Sequence, residues 1–61
     1  KFLREKRLRE KRIYFLVYDN LNIILMVAVS GKKDQQYTIN FIKSKLEEFK
    51  LLAEELSKRF S

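Results

Sequence analysis

Two adjacent lysines and a nearby tyrosine, Lys32, Lys33 and Tyr37, are the residues of this chain best suited to chemistry. Cleavage of RNA through its own 2′-hydroxyl needs a proton acceptor, a proton donor for the leaving oxygen and positive charge beside the phosphate. Lysine, arginine and tyrosine supply these functions without histidine, which the sequence lacks. We therefore predict that Lys33 and Tyr37 are the candidate catalytic residues. The alternative is that both lysines are ordinary exposed loop residues and that Tyr37 packs at the start of a helix.

Composition excludes most other catalytic chemistries. The 61 residues include no Cys, no His and one Gly, which excludes a Ser-His-Asp triad, thiol chemistry, a glycine-rich phosphate loop and a dinucleotide-binding fingerprint. A zinc site is equally unexpected. We interpret the glutamates near the C-terminal end as solubilising charges: Glu47, Glu48, Glu54 and Glu55. We predict no metal and no cofactor.

Positive charge is concentrated near the N-terminal end. The net charge is +6, and residues 1–12 alone contain seven basic and two acidic residues. This asymmetry is typical of a protein that binds a polyanion, most often nucleic acid. The alternative is a solvated basic edge strand that discourages sheets from aggregating.

The segment 13–30 has the pattern of a β-hairpin, with two runs of β-branched and aromatic residues on either side of Asp19–Asn22. Alternation assigns the first run to two faces: Ile13, Phe15 and Val17 on one, and Tyr14, Leu16 and Tyr18 on the other. In the second run it separates Ile23, Leu25, Val27 and Val29 from Ile24, Met26 and Ala28. Both faces of the hairpin are therefore apolar, and both need cover.

The polar residues inside this hairpin also bear on localisation. Asp19, Asn20 and Asn22 interrupt the apolar run, which excludes a membrane span or the core of a signal peptide. Because the chain also lacks Cys, we expect a soluble, cytoplasmic protein without a membrane partner.

The flanking segments complete an α+β domain. The tandem repeat in residues 3–12 lacks a continuous apolar stripe, so we predict a strand there rather than a helix. After Gly31, which we expect to end the second strand and which allows a positive φ, the apolar spacing becomes helical. The predicted fold is a three-stranded antiparallel sheet followed by one long C-terminal helix. The strands are expected at about 2–8, 12–18 and 22–30 and the helix at about 35–60, in a single truncated or minimal domain spanning 1–61.

One helix is too little cover for such a sheet. A helix over this segment is about 39 Å long, whereas the strands reach about 25 Å. Its last turns, with Leu52, Leu56 and Phe60, therefore need another surface. We expect either a second copy or a different chain to provide it, and we expect a homo-oligomer rather than a monomer.

The order of these segments resembles the C-terminal part of the RelE/ParE superfamily, the toxins of type II toxin–antitoxin systems. The resemblance covers about Phe2–Lys45 and rests on the Tyr-x-Leu-Val-Tyr strand at Tyr14–Tyr18, a turn, the apolar strand Ile23–Ser30 and the basic loop Gly31–Lys33. The sequence departs from the family where RelE-like nucleases have arginines, at Phe15 and Lys33, and Tyr37 lies two positions early for the family's C-terminal tyrosine. The family's N-terminal strand and helical hairpin have no counterpart in this sequence.

The resemblance implies an antiparallel RelE-like sheet and a cognate antitoxin as partner. For the RelE branch it implies metal-independent endoribonuclease activity on mRNA at the ribosome, whereas the ParE branch targets DNA gyrase. It places Arg4, Lys6, Arg12 and Lys32 in contact with RNA. The alternative function is a non-catalytic dimeric interaction module, or toxin remnant, that binds nucleic acid by charge; a purely structural fragment is a third possibility.

Overall fold

The computed structural model describes residues 2–60, with side chains from Leu3 to Phe60. In chain order the elements are β1 (Phe2–Arg7), β2 (Lys11–Tyr18), a 3₁₀ turn (Asp19–Leu21), β3 (Ile23–Gly31), α1 (Gln35–Ser44) and α2 (Leu46–Phe60). The strands form one antiparallel sheet in the order β1-β2-β3. The predicted α+β fold class is confirmed.

Each strand connection is closed by a backbone hydrogen bond. Between β1 and β2 the Leu8 N–H donates to the Lys11 carbonyl at 2.8 Å, and between β2 and β3 the Asn22 N–H donates to the Asp19 carbonyl at 3.2 Å. Asn22 has a φ of 55° and is the one residue of the described 2–60 range with positive φ. Gly31 ends β3 as expected, without the positive φ that glycine allows. The left-handed residue instead follows the 3₁₀ turn, where asparagine tolerates this conformation.

The predicted long helix is divided at Lys45. The Ser44 hydroxyl donates to the Phe41 carbonyl at 2.7 Å, and the Lys45 N–H donates to the Ile42 carbonyl at 3.0 Å. Serine that bonds back to its own helix bends it, and the tighter i→i−3 bond at Lys45 ends α1. The break lets α1 and α2 both pack against β3.

The core lies between the helices and one side of the sheet, which we call the covered face. Its centre consists of Tyr14, Leu16 and Tyr18 of β2, exposed by 1%, 2% and 3%, packed with the fully buried Ile42 and Ala53 of the helices. These are the β2 side chains that alternation placed together, so this face of β2 was predicted correctly.

The face assignment in β3 was partly wrong because of a β-bulge. Tyr14 pairs with Ala28 but the next residue, Phe15, pairs with Met26, so Val27 is an extra residue on β3. Beyond a bulge, every side chain changes face relative to strict alternation. Ala28 therefore packs against the core, and Val29 lies on the opposite side with Met26.

The opposite side, which we call the open face, has no cover among residues 2–60. Pairing across the three strands gives it the following side chains: Arg4 and Lys6 of β1; Ile13, Phe15 and Val17 of β2; Ile24, Met26 and Val29 of β3. Ile24, Met26 and Val29 are exposed by 67%, 65% and 52%. Of the α2 residues expected to need another surface, Leu52 and Phe60 are exposed and Leu56 is half-buried. Leu51 is exposed as well. Neither described helix is long and apolar enough to cross a membrane.

Candidate nucleic-acid interface

The β3–α1 connection presents two lysines directly before a helix. Lys32 and Lys33 are exposed in the turn that follows β3. The Thr38 N–H donates to the Asp34 carbonyl at 2.9 Å and so forms the first turn of α1. The Asp34 side chain makes no capping hydrogen bond to this turn. Because uncapped N–H groups and lysine ammonium groups both favour anions, this connection suits a phosphate.

Sheet pairing brings the β1–β2 turn to the same end of the molecule. Lys11 pairs with Gly31, the last residue of β3. Together with α1 these elements enclose an open groove of about 660 Å³, which we call the α1 groove, lined by Glu10, Lys11, Val29, Ser30, Gly31, Asp34, Tyr37 and Thr38. The groove therefore combines side chains that are far apart in sequence.

Tyr37 is the exposed aromatic residue of the groove. Its side chain is 76% exposed, so it is not packed at the start of α1. Within residues 2–60, Lys32, Lys33 and Tyr37 make no hydrogen bond or ion pair. Their phenol and ammonium groups are available for a ligand, and nothing in the described chain fixes their positions.

Arg12 lies on the covered face and is held by other residues. Its Nη1 donates to Glu5 Oε2 at 2.6 Å, and its side chain is only 15% exposed. The same carboxylate accepts from Gln35 Nε2 at 3.5 Å. Arg12 therefore links the strands to the start of α1 through Glu5, a structural role beside the RNA contact predicted for it.

Arg4 and Lys6 lie elsewhere again, on the open face, because they pair with Phe15 and Ile13. The six predicted site residues thus occupy three places. Tyr37 lines the α1 groove, and Lys32 and Lys33 lie in the turn between its lining residues Gly31 and Asp34. Arg4 and Lys6 lie at the rim of the open face, and Arg12 lies on the covered face.

Glu10 and Lys11 were not among the predicted site residues. The Glu10 and Asp34 carboxylates in the groove provide the proton acceptors that RNA cleavage requires, and Lys11 adds a cation. They lie in the same groove as Tyr37 because β2 pairs with β3, which composition alone does not reveal. The register of the hairpin, which pairs Lys11 with Gly31, is the feature that could have shown it. Within the described chain, no three acidic side chains lie close enough to hold a metal ion together.

The tyrosines of the Tyr-x-Leu-Val-Tyr strand are core residues. The hydroxyl groups of Tyr14 and Ser30 are hydrogen-bonded at 3.0 Å in a buried position. The Tyr18 hydroxyl is buried without a hydrogen-bond partner among the described residues, and burial raises the pKa of this phenol. The motif that carries the family resemblance thus contributes packing, and the candidate chemistry lies in the loop that follows.

Comparison of the chain with protein-family models, with curated proteins and with solved structures gives no match. The RelE/ParE resemblance rests on the hairpin and the basic loop and stays a prediction.

Proposed function

We propose that this chain is the RNA-binding toxin component of a RelE/ParE-like toxin–antitoxin pair, with the α1 groove as its RNA site. The observation that carries the proposal is that Lys11 and an exposed Tyr37 line one groove. The turn between its lining residues Gly31 and Asp34 carries two further exposed cations, Lys32 and Lys33. Lysines attract the phosphates of a nucleic acid, and an exposed aromatic ring offers a stacking surface to an unpaired base. The combination favours single-stranded RNA.

Cleavage in this groove requires no group outside the chain. The 2′-oxygen of the RNA attacks the phosphorus while the bond to the 5′-oxygen breaks, which gives a 2′,3′-cyclic phosphate and a free 5′-hydroxyl. The carboxylate of Asp34 or Glu10 accepts the 2′ proton, and the Tyr37 hydroxyl donates a proton to the 5′-oxygen. Lys33 stabilises the charge that develops on the phosphate.

A second candidate function is nucleic-acid binding without catalysis. General acid–base catalysis depends on groups held in position, and Lys33 and Tyr37 have no partners within residues 2–60. This observation favours a non-catalytic interaction module or toxin remnant that binds nucleic acid by charge.

The proposed toxin role also leads to proposals for the partners and the location of the protein. The toxin role implies a cognate antitoxin, action at the ribosome and a cytoplasmic location. We also propose that copies of the chain associate through the exposed apolar residues of α2, because this helix carries nearly balanced charge, four acidic and three basic residues.

Binding is tested with a fluorescent single-stranded RNA oligonucleotide titrated at several salt concentrations. We expect the Lys32→Ala/Lys33→Ala double variant to lower the slope of log affinity against log salt by about 1.4, because two phosphate contacts are lost. The matched control is Lys43→Ala/Lys50→Ala, which removes the same charge from exposed positions of the helices. Equal losses in both double variants contradict the assignment of the groove.

Catalysis is tested by incubating the same RNA with the protein and a chelator. The nuclease is supported if the unmodified chain gives products with a cyclic phosphate and the variants Lys33→Ala and Tyr37→Phe do not. RNA that is bound but remains intact shows that the second candidate is correct.

A further inference from the structure

The open face is a second surface, and of its six apolar residues only Val29 also lines the α1 groove. Six apolar side chains lie side by side across β2 and β3, and the most exposed of them, Ile24, Met26 and Val29, belong to the edge strand β3. Isolated exposed apolar residues are normal on a protein surface, but a contiguous patch marks an interaction site.

The accessible surface of the chain is larger than its mass requires. A compact monomer of 7.4 kDa exposes about 4,200 Å², whereas this chain exposes 4949 Å². The excess is close to the roughly 800 Å² that each partner contributes to a standard protein interface. Several of the exposed large apolar residues lie on the open face and in α2.

The covered face shows what kind of element fits such a surface. There, amphipathic helices lie on the same three strands, with Ile42 and Ala53 packed against the β2 side chains. The open face has the same width and a similar apolar composition. Because β2 has eight residues and spans about 26 Å, a helix of about 17 residues covers it from end to end.

Charge decides between a second copy and a different partner. The apolar patch is bordered on the β1 side by Arg4 and Lys6, and none of the open-face residues is acidic. Two copies, each with a net charge of +6, repel one another when these faces meet. A partner with acidic residues opposite β1 is attracted instead and fixed in orientation.

We propose that the open face binds an amphipathic α-helix of another protein, whose apolar side lies on β2 and β3 and whose flank over β1 carries glutamate or aspartate. Met26 and Phe15, which are paired neighbours, lie at the centre of this contact. Arg4 and Lys6 determine which way round the helix lies. This docking surface stands independently of RNA binding in the α1 groove.

Two designed helical peptides of about 17 residues test the proposal. Both have leucines along one side, and one has glutamates and the other lysines along the adjacent flank. We expect the acidic peptide to bind the intact chain with micromolar affinity and the basic peptide at least about tenfold more weakly, measured by fluorescence anisotropy. Met26→Glu changes an exposed position, so we expect it to leave the fold intact by circular dichroism. We expect it to lower the affinity for the acidic peptide by at least about tenfold. Ile24→Ser is the second variant for the same face, because Ile24 is 67% exposed and does not line the α1 groove.

The Arg4→Glu/Lys6→Glu variant tests the orientation. We expect it to reverse the preference between the two peptides, whereas the control Lys43→Glu/Lys50→Glu, with the same change of net charge, keeps the original preference. Equal binding of both peptides, or reversal by the control as well, overturns the proposal.

Sedimentation of the chain alone tests whether a second copy, rather than another protein, occupies the open face. A dimer that Met26→Glu dissociates shows that a second copy occupies the face and overturns the proposal. Because Met26→Glu lies outside the α1 groove, RNA affinity is expected to stay within about twofold of the unmodified chain. Failure of peptide binding with RNA binding intact, or the reverse, therefore identifies which of the two proposals is wrong.

Discussion

The two faces of the sheet are built from similar apolar side chains, yet one forms a core and the other a surface. Leu16 on the covered face is 2% exposed, whereas Met26 on the open face is 65% exposed. The two side chains have similar volume and lie on paired strands. The difference arises because α1 and α2 follow β3 and lie on one side of the sheet. Apolar composition therefore identifies strands whose faces need cover. It does not show which face the helices of the same chain cover.

The polar groups of the two faces differ as well. The covered face contains a buried hydroxyl pair, Tyr14 with Ser30, and the ion pair of Arg12 with Glu5. The open face has only cations, Arg4 and Lys6, at one rim. Buried polar groups that find partners within the chain specify its own packing. The unpaired charges beside the apolar patch are the basis of our proposal that a partner helix binds there.

The largest expected effect is the loss of stability when an apolar side chain of the covered face is shortened. Leu16→Ala is expected to lower the free energy of unfolding by about 3 kcal/mol, because it opens a cavity between the sheet and the helices. The total stability of a chain this size is about 3–9 kcal/mol, so this single substitution removes between about a third and all of it. Urea denaturation followed by circular dichroism measures the change.

Met26→Ala is the matched substitution on the open face. It is expected to cost less than about 1 kcal/mol, since the side chain loses little buried area. Similar losses in the two variants contradict the distinction between the faces.

Much of this fold could be predicted because alternation and helical spacing are local properties. The pattern of Tyr14, Leu16 and Tyr18 gave the covered face of β2, and the change of period after Gly31 gave the start of the helices. The bulge at Val27 and the break at Lys45 could not be predicted in the same way. A bulge depends on how two strands pair, and the break depends on a hydroxyl that bonds to its own helix.

The site was predictable where it is continuous in sequence. Lys32, Lys33 and Tyr37 were selected because they share one loop and one helix start. Glu10 and Lys11 were missed because only the pairing of Lys11 with Gly31 brings them to that loop. Arg4 and Arg12 carry the same charge but lie on opposite faces, which the charge count alone does not reveal.

A smaller effect distinguishes the two tyrosines of the covered face. Tyr14→Phe is expected to destabilise the chain by about 1 kcal/mol, because it leaves the buried Ser30 hydroxyl without its partner. Tyr18→Phe removes a hydroxyl that has no partner, so it is expected to be neutral or to stabilise by up to about 1 kcal/mol. Urea midpoints of the two isosteric variants provide the comparison, and an equal loss in both contradicts the hydrogen-bond assignment.

The smallest expected effect concerns pH. Burial raises the pKa of Tyr18 above its ordinary value, so the unfolded chain loses this proton at a lower pH than the folded chain does. The contribution of this phenol to stability is therefore complete below about pH 10 and is lost as the pH rises through the folded-state pKa. Tyr18→Phe is expected to lose less stability than the unmodified chain in this alkaline range, and parallel losses contradict the assignment.

The oxidation rate of Met26 tests most directly whether one face of the sheet is open. This residue is the only methionine of the sequence, and peroxide converts its thioether to a sulfoxide that mass spectrometry counts. We expect a rate within about threefold of that of a short unstructured methionine peptide, independent of protein concentration. A rate more than about tenfold slower, restored when urea unfolds the chain, would show that the face is already covered and would contradict the distinction between the two faces.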